Sequence, residues 1–374
     1  MSEFPVFPTP DPIPLPAPVW LLKLLSLLTL GLHFGAVMIL VGSLILTIYL
    51  NVKGRARQQV EYVQASYVLA KRLPVIMTYV INLGVPPLLF LQVLYGQQIY
   101  SSSVLIGSLW ISVIIQLMLA YWLLYRTIHG IENRKPIWHI AGLSLLIVMG
   151  IGQIYSFNMT LMLRPEVWNE MYHNSPIGMQ SPKGDPTITP RWLFVMAGGP
   201  LFGGLWAVLL SHMAYLGDAV KAILRRAGGL IAGVGGVLML AMGYRVMSLQ
   251  PAEVWAGIQG SQLHLYGLYA AGATIAVATL LGVAQGMGKA RSLAVSNLGI
   301  VAALLATITS AIVRDGVRDF TLLQKGFDVN AVTVYPNWSV VIVFLLLFVI
   351  MLGVIYWLLN VMRQATPPKE EISI

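Results

Sequence analysis

Residues 19–50 read VWLLKLLSLLTLGLHFGAVMILVGSLILTIYL, a run broken by one lysine, Lys23, and one histidine, His33. The hydrocarbon core of a bilayer is roughly 30 Å thick and takes about 20 apolar residues in helical form, so this run is long enough to cross it. Eight further apolar stretches follow: Pro74–Leu94, Val104–Tyr125, Trp138–Phe157, Trp192–Leu216, Gly228–Met247, Leu263–Ala284, Leu293–Val313 and Trp338–Met362. They fill almost the whole chain. The fold class that follows is all-α, a polytopic membrane bundle of nine transmembrane helices, in which most side chains meet lipid rather than water.

Composition agrees. Charged residues make up 10% of the chain and hydrophobic ones 57%, where a soluble domain carries about 25% charged residues. No segment is large enough to bury a soluble core of its own. The 23 Lys+Arg against 14 Asp+Glu give a formal charge of +9. These bases cluster at the ends of the apolar stretches, where they set orientation, and they do not point to nucleic acid. Cysteine is absent, which excludes disulfides, thiolate metal sites, iron–sulfur clusters and covalently attached c-type haem.

The basic residues sort the loops. Lys53, Arg55, Arg57, Lys71 and Arg72 form one group. Arg126, Arg134 and Lys135 follow, then Lys221, Arg225 and Arg226, then Lys289 and Arg291, and last Arg363 and Lys369. They fall on alternate loops, which are expected on the cytoplasmic side. The N-terminus is then outside and the C-terminus inside. Residues 1–17 form a Pro-rich outer tail, expected to be extended; residues 18–363 form the membrane domain and residues 364–374 a cytoplasmic tail. The expected outer loops are Tyr95–Ser103, Asn158–Arg191, Ser248–Gln262 and Arg314–Asn337. The second and fourth mix charge with aromatics, a pattern expected of short helices lying at the interface.

Polar residues inside the spans come next. His33 lies near mid-depth, where an ionisable group marks function by default. Two readings stay open for it: a hydrogen bond to a neighbouring helix, or an axial ligand to haem iron. His264 starts the seventh stretch at its outer end. Asn82, Gln92, Gln116, Gln153 and Asn297 are neutral amides of the kind that join helices. No Asp or Glu falls in the middle of an expected span, which argues against a proton pump built on buried acids. Phosphate-cradling loops, paired metal-binding histidines and serine nucleophile elbows are missing from the sequence. Gly198, Gly199, Gly203 and Gly204 in the fifth stretch, and Gly228, Gly229, Gly233, Gly235 and Gly236 in the sixth, are expected to let backbones approach closely.

Several segments in order resemble subunit I of the cytochrome bd quinol oxidases. Leu32-His33-Phe34 resembles that family's Tyr-His-Phe-Leu segment, whose His ligates a b-type haem. Ile81-Asn82-Leu83-Gly84-Val85 and Phe90-Leu91-Gln92-Val93-Leu94-Tyr95-Gly96 resemble its Ile-Asn-Phe-Ala-Leu-Gly-Val and Phe-Gln-Phe-Gly stretch. Gly243–Gly257, GYRVMSLQPAEVWAG, resembles the start of its quinol-binding loop. The family has nine spans and an outer N-terminus. The departures matter as much. The family's fifth-span haem-ligating His falls on Met196, its seventh-span Met ligand near Leu268, and its third-span glutamates on Gln116 and Leu124. Its Gly-Arg-Gln-Pro-Trp block and eighth-span Glu become Arg314-Asp315-Gly316-Val317-Arg318-Asp319-Phe320.

Oxygen reduction needs several haems and a titrating proton path. Leu cannot ligate iron and Gln cannot carry a proton, so the chain is not expected to reduce dioxygen. What the resemblance implies instead is a membrane subunit of a respiratory electron-transfer complex in a bacterial inner membrane. His33 would ligate the iron of one b-type haem, with Met196 or His264 as second ligand. Quinol would bind near Arg245, Gln250 and Glu253, and electrons would pass to a periplasmic cytochrome c or iron–sulfur protein. A haem-free anchor subunit of such a complex is the alternative, and a transporter the third reading. Whether the chain is itself an enzyme stays open.

Overall fold

The structure is a computed structural model that describes residues 10–364 except Pro176 and Lys183. Residues 1–9 of the expected outer tail and residues 365–374 of the expected inner one lie outside it. Thirteen α-helices are assigned among the described residues: α1 (Val19–Arg57), α2 (Val60–Ala70), α3 (Leu73–Leu94), α4 (Gly96–Leu105), α5 (Gly107–Glu132), α6 (Trp138–Leu161), α7 (Trp168–Asn174), α8 (Ile188–Leu210), α9 (Asp218–Ser248), α10 (Ala252–Gly260), α11 (Gln262–Gly286), α12 (Leu293–Gln324) and α13 (Trp338–Gln364). Eight helical spans are long and apolar enough to cross a membrane, α2 and α3 counting as one from Val60 to Leu94. In α13 the apolar stretch Trp338–Val354 is shorter.

Over their apolar windows these helices are hydrophobic nearly all round, the pattern of a buried or membrane-crossing element. Burial then separates core from periphery. Of the most apolar window, 61% is buried in α8 and 50% in α1, against 22% in α5, α6 and α9. Helices α1 and α8 are the central pair, and the rest present apolar surface outward. The glycines explain how that pair meets. A Cβ on Gly203 would come within 2.5 Å of Gly42 Cα, and one on Gly42 would run into the Gly199 carbonyl. Small residues let two backbones touch where lipid offers no hydrophobic drive for association. Helices α9 and α11 meet in the same way at one end only. Gly229 faces Gly286, Gly236 faces Thr279, and a Cβ on Gly282 would lie 2.9 Å from Ala232 Cβ. Towards the other end the pair parts, and nothing lies within 4 Å of where a Gly272 Cβ would be.

Three expected loops are helical. Tyr95–Ser103 is mostly α4, with Ile99 and Ser102 buried, and Ser248–Gln262 contains α10. The third difference has the largest consequence. Helix α12 does not stop at Val313 but runs 32 residues to Gln324, so Arg314–Phe320 are two further turns of a packed helix and not an interfacial loop. Asp315 is buried there, in the last third of the helix and beyond the expected end of the span. Ion pairing, described below, is what makes the continuation tolerable. The end of the Pro-rich segment is held in place. Leu15 donates its N–H to Thr333 (2.9 Å) and accepts from Tyr335 (2.9 Å), and Leu15 and Ala17 are buried.

Candidate functional site

The last third of α12 carries charge with helical spacing. Arg314 and Arg318 lie four residues apart on one face, and Asp315 and Asp319 lie four apart on the adjacent one. The acidic face meets α1. Lys23 Nζ bonds Asp315 Oδ2 at 3.0 Å and also pairs with Asp319. Tyr95 donates its hydroxyl to Asp319 Oδ1 at 2.5 Å, and Arg318 bonds Asp315 Oδ1 at 3.1 Å while lying 4.9 Å over the Tyr95 ring. His264 packs at this turn. It contacts the bare face of Gly316, stands edge-on to Phe320 at 5.5 Å, and shares a 2.7 Å hydrogen bond with Ser261.

The basic face meets open space. A cavity of about 690 Å³ lies where α9 and α11 part, walled by Met239, Leu240, Leu268 and Ile275 among others. Tyr244, 78% exposed, stands at its mouth, and Trp255 of α10 lines it as well. This volume is in the range of ligand pockets, about 300–1,000 Å³, and the mixture of apolar wall and few polar groups is theirs too. A smaller cavity of about 320 Å³ adjoins it, lined by His33, Met196, Trp192 and Tyr155. Phe34, Met159, Arg191, Val195, Arg314 and Arg318 belong to the walls of both.

Charge in this partition does not cancel. Lys23, Arg314 and Arg318 are three cations; Asp315 and Asp319 are two anions. Arg191, nearby, has its own partners in Asp185 (3.2 Å) and the Thr160 hydroxyl (2.7 Å). Arg314 is the cation left over. Its recorded contact is with the Phe34 ring, 5.8 Å from the guanidinium carbon, and no carboxylate bonds it among the described residues. The charges acting on it are Arg318 and Arg191, which repel it, and Asp315, which attracts it. Arg314 is half-buried in the wall of both cavities. A cation so placed without a carboxylate asks for an oxygen-bearing group from outside the chain.

The expected site residues divide. His33 and Met196 both line the smaller cavity. His33 Nδ1 lies 3.0 Å from the Val80 carbonyl, and its ring fills the space that a Gly84 side chain would take. If Nδ1 carries the proton, Nε2 presents a free lone pair, the arrangement by which proteins orient a metal-ligating imidazole. His33, Met196, Arg191, Arg314 and Arg318 stand in the wall of one cavity. His264 lines neither cavity, bound as it is to Ser261. Of the expected quinol residues, Gln250 lines the larger cavity, its amide donating to Val246 O at 2.8 Å. Arg245 and Glu253 are exposed and outside its wall. Sequence reasoning missed Arg314, Arg318 and Lys23. The signal was available, since a lone Lys five residues into an apolar run requires a carboxylate somewhere in the bundle.

Beyond the bundle, Glu166 accepts from Arg164 (3.2 Å) and Lys325 (3.2 Å), tying the segment before α7 to the end of α12. Burial raises its carboxyl, but its own backbone N–H, Arg164 and Lys325 together outweigh that and hold it below the usual glutamate value. No family model matches the chain, and no curated protein matches it either. What the fold and the site define is a helical bundle with spans able to cross a membrane and, among them, an apolar cavity with arginines in its wall.

Proposed function

We propose that this chain is a membrane subunit of a quinol-linked electron-transfer complex in a bacterial inner membrane, and that the larger cavity takes the quinone or quinol. The observation that carries the reading is Arg314, a cation without a carboxylate, in the wall of an apolar cavity. A quinone is an isoprenoid tail bearing a ring with two oxygens. The tail suits Met239, Leu240, Leu268 and Ile275; a ring oxygen suits Arg314, and Gln250 and Ser310 offer further hydrogen bonds. In this reading α13 is the ninth span, the N-terminus is outside, and a periplasmic cytochrome c or iron–sulfur protein receives the electrons. The departures of Leu268, Gln116 and Leu124 from the resembling family keep dioxygen reduction out of the proposal.

A second reading is favoured by the His33 geometry: the same complex with one b-type haem held by His33 Nε2, and Met196 as the other donor in that wall. The haem would supply a one-electron relay, and Gly84, by lacking a side chain, would keep the imidazole in place. The test of both uses protein purified from its native membrane. Solvent extraction should yield a quinone in stoichiometric amount, and added quinone should raise the melting temperature of stripped protein. A pyridine haemochrome spectrum decides the haem separately, with loss of the Soret band in His33→Ala assigning the ligand. Absence of both quinone response and haem would leave only the anchor role and sink the electron-transfer proposal.

A further inference from the structure

Asn82 is one of the amides expected to join helices, and it joins none among the described residues. Asn158 shows what a joining amide does: from α6 it bonds both Ser102 and Ser103 of α4. Asn82 instead donates to the Thr78 carbonyl of its own helix, at 2.9 Å. The residue is exposed, and its Oδ1 has no partner among the described residues. The backbone is short of donors as well. Pro86, one turn on, has no N–H to give the Asn82 carbonyl, and Pro87 has none for Leu83. Depth makes this costly. Asn82 lies about 15 Å along α3 from Arg72 at the basic end, half of a hydrocarbon core roughly 30 Å thick. Water and lipid headgroups are absent at that level, and lipid tails cannot hydrogen-bond.

Asn82 stands in the middle of a stripe. Val75, Thr78, Asn82, Val85, Leu89 and Gln92 follow one another at alternating steps of three and four residues, the a and d positions of a heptad. The first five are exposed and Gln92 is half-buried. The row covers about 26 Å of α3. The opposite side of the helix does the packing within the chain, with Leu73, Ile76, Met77 and Val80 buried in the core. A stripe of this geometry is how two helices pack in parallel. Three of its six members, Thr78, Asn82 and Gln92, carry hydrogen-bonding groups for which a lipid-facing stripe has no use.

We infer that this stripe is the interface between two copies of the chain, with α3 packed parallel to its counterpart and Asn82 hydrogen-bonded to the same residue of the second copy. The occupant follows from complementarity. A primary amide has two N–H donors and an acceptor oxygen. Thr78 takes one N–H, which leaves one N–H and Oδ1 free, a set that complements itself. Two copies inserted the same way round in one membrane have parallel helices, and a twofold axis along the membrane normal brings like residues together. An Asn at a single a position is the device that fixes register and oligomeric state in such seams. Neither quinone nor haem takes part in this inference.

The chain has no cysteine, so single cysteines report on proximity without background from the protein itself. Full-length Val75→Cys, Thr78→Cys, Asn82→Cys, Val85→Cys and Leu89→Cys, oxidised with copper phenanthroline in the membranes of the expressing cell, should form disulfide-linked dimers. Val237→Cys on α9 and Leu280→Cys on α11, at sites more exposed than any of the apolar three on α3, should not. A second arm leaves the protein free of cysteine. By sedimentation equilibrium in detergent, Asn82→Leu should weaken the dimer about 3- to 10-fold, the worth of one interhelical hydrogen bond, with helix content by circular dichroism unchanged. Asn82→Gln, which keeps a donor and an acceptor, should recover part of the loss. Absence of dimers from the α3 cysteines, or equal yields from Val237→Cys and Leu280→Cys, would overturn the interface. An α3 adduct with a chain of another mass would assign the stripe to a different subunit and overturn the self-pairing. An Asn82→Leu dimer as tight as wild type would overturn the amide pair.

Discussion

Replacing Arg314 by Leu should stabilise the ligand-free protein and abolish its response to ligand. The charge count gives the sign. With Arg314 the partition holds three cations against two carboxylates; without it, Lys23 and Arg318 balance Asp315 and Asp319. A fully buried unpaired ion costs several kcal/mol even after relaxation, and Arg314, half-buried in a cavity wall, carries part of that cost. What the wild-type residue returns is its contact with Phe34, about 0.5–2 kcal/mol for a cation on an aromatic face. The difference favours Leu by about 1–3 kcal/mol, and the new side chain adds apolar wall to a cavity that is apolar already. At about 2–4 °C per kcal/mol for chains somewhat shorter than this one, ligand-free Arg314→Leu should melt a few degrees above stripped wild type.

Ligand reverses the order. At a concentration a hundred times its Kd, a ligand that binds only the folded state adds about 2.7 kcal/mol. Wild type should show that shift with a short-chain quinone, and Arg314→Leu should not. The assay is thermal unfolding by circular dichroism in one detergent at one scan rate, with and without quinone. A substitution that lowers the ligand-free melting temperature would mean that Arg314 has a partner and that the count of three against two is wrong. A shift preserved in the variant would separate the ligand from Arg314 and remove the observation on which the proposed function rests. Stability set against binding in one residue is the usual mark of a site under functional load.

Asp315→Asn should be strongly destabilising, by about 3–5 kcal/mol, because it takes the balance to three cations against one in a buried network; Lys23→Met, which leaves two against two, should cost less, and thermal unfolding of the pair checks the ranking. Gly236→Val should part α9 from α11 where Gly236 meets Thr279, at about 1–3 kcal/mol of overpacking, and quinone affinity should fall with it because the cavity opens from that junction. Glu166 predicts a pH effect. Its folded-state value is depressed, so its contribution is complete above the ordinary glutamate value of 4.5 and is lost as pH falls through the folded one. The pair with Lys325 is partly exposed, so the loss is about 1 kcal/mol or less, measurable as wild type and Glu166→Gln converging in melting temperature on acidification.

Sequence read the spans well because lipid sets a length that a run of apolar residues either meets or does not. It also read the close packing of Gly204 against Gly228, since small residues repeated in two apolar runs have few other uses; it did not single out Gly42 of the first run, which meets Gly199 and Gly203. It failed where a helix continued past its apolar part. Val313 is followed by Arg-Asp-Gly-Val-Arg-Asp, and on one strand of sequence that looks like a segment leaving the membrane. Whether it leaves depends on Lys23, 292 residues away, and on Tyr95, neither of which is visible from α12 alone. Periodicity contained part of the answer: Arg314 with Arg318 and Asp315 with Asp319 are the i, i+4 pairs of a helix with two differently charged faces.

The candidate site follows from that same continuation. Had α12 ended at Val313, Arg314 would be a solvated loop residue and the larger cavity would be an apolar gap of the kind lipid fills. Because the helix runs on, the pairing of Asp315 and Asp319 with Lys23 fixes its rotation, and the rotation points Arg314 and Arg318 at the space between α9 and α11. The ion pairs are therefore less a source of stability, which buried pairs seldom are, than the device that aims the unpaired cation. Lys23→Met separates these roles. If it leaves melting nearly unchanged yet weakens quinone binding, the network orients the helix. If instead the melt collapses and the surviving folded protein binds quinone as before, the network holds the bundle together and Arg314 is aimed by something else.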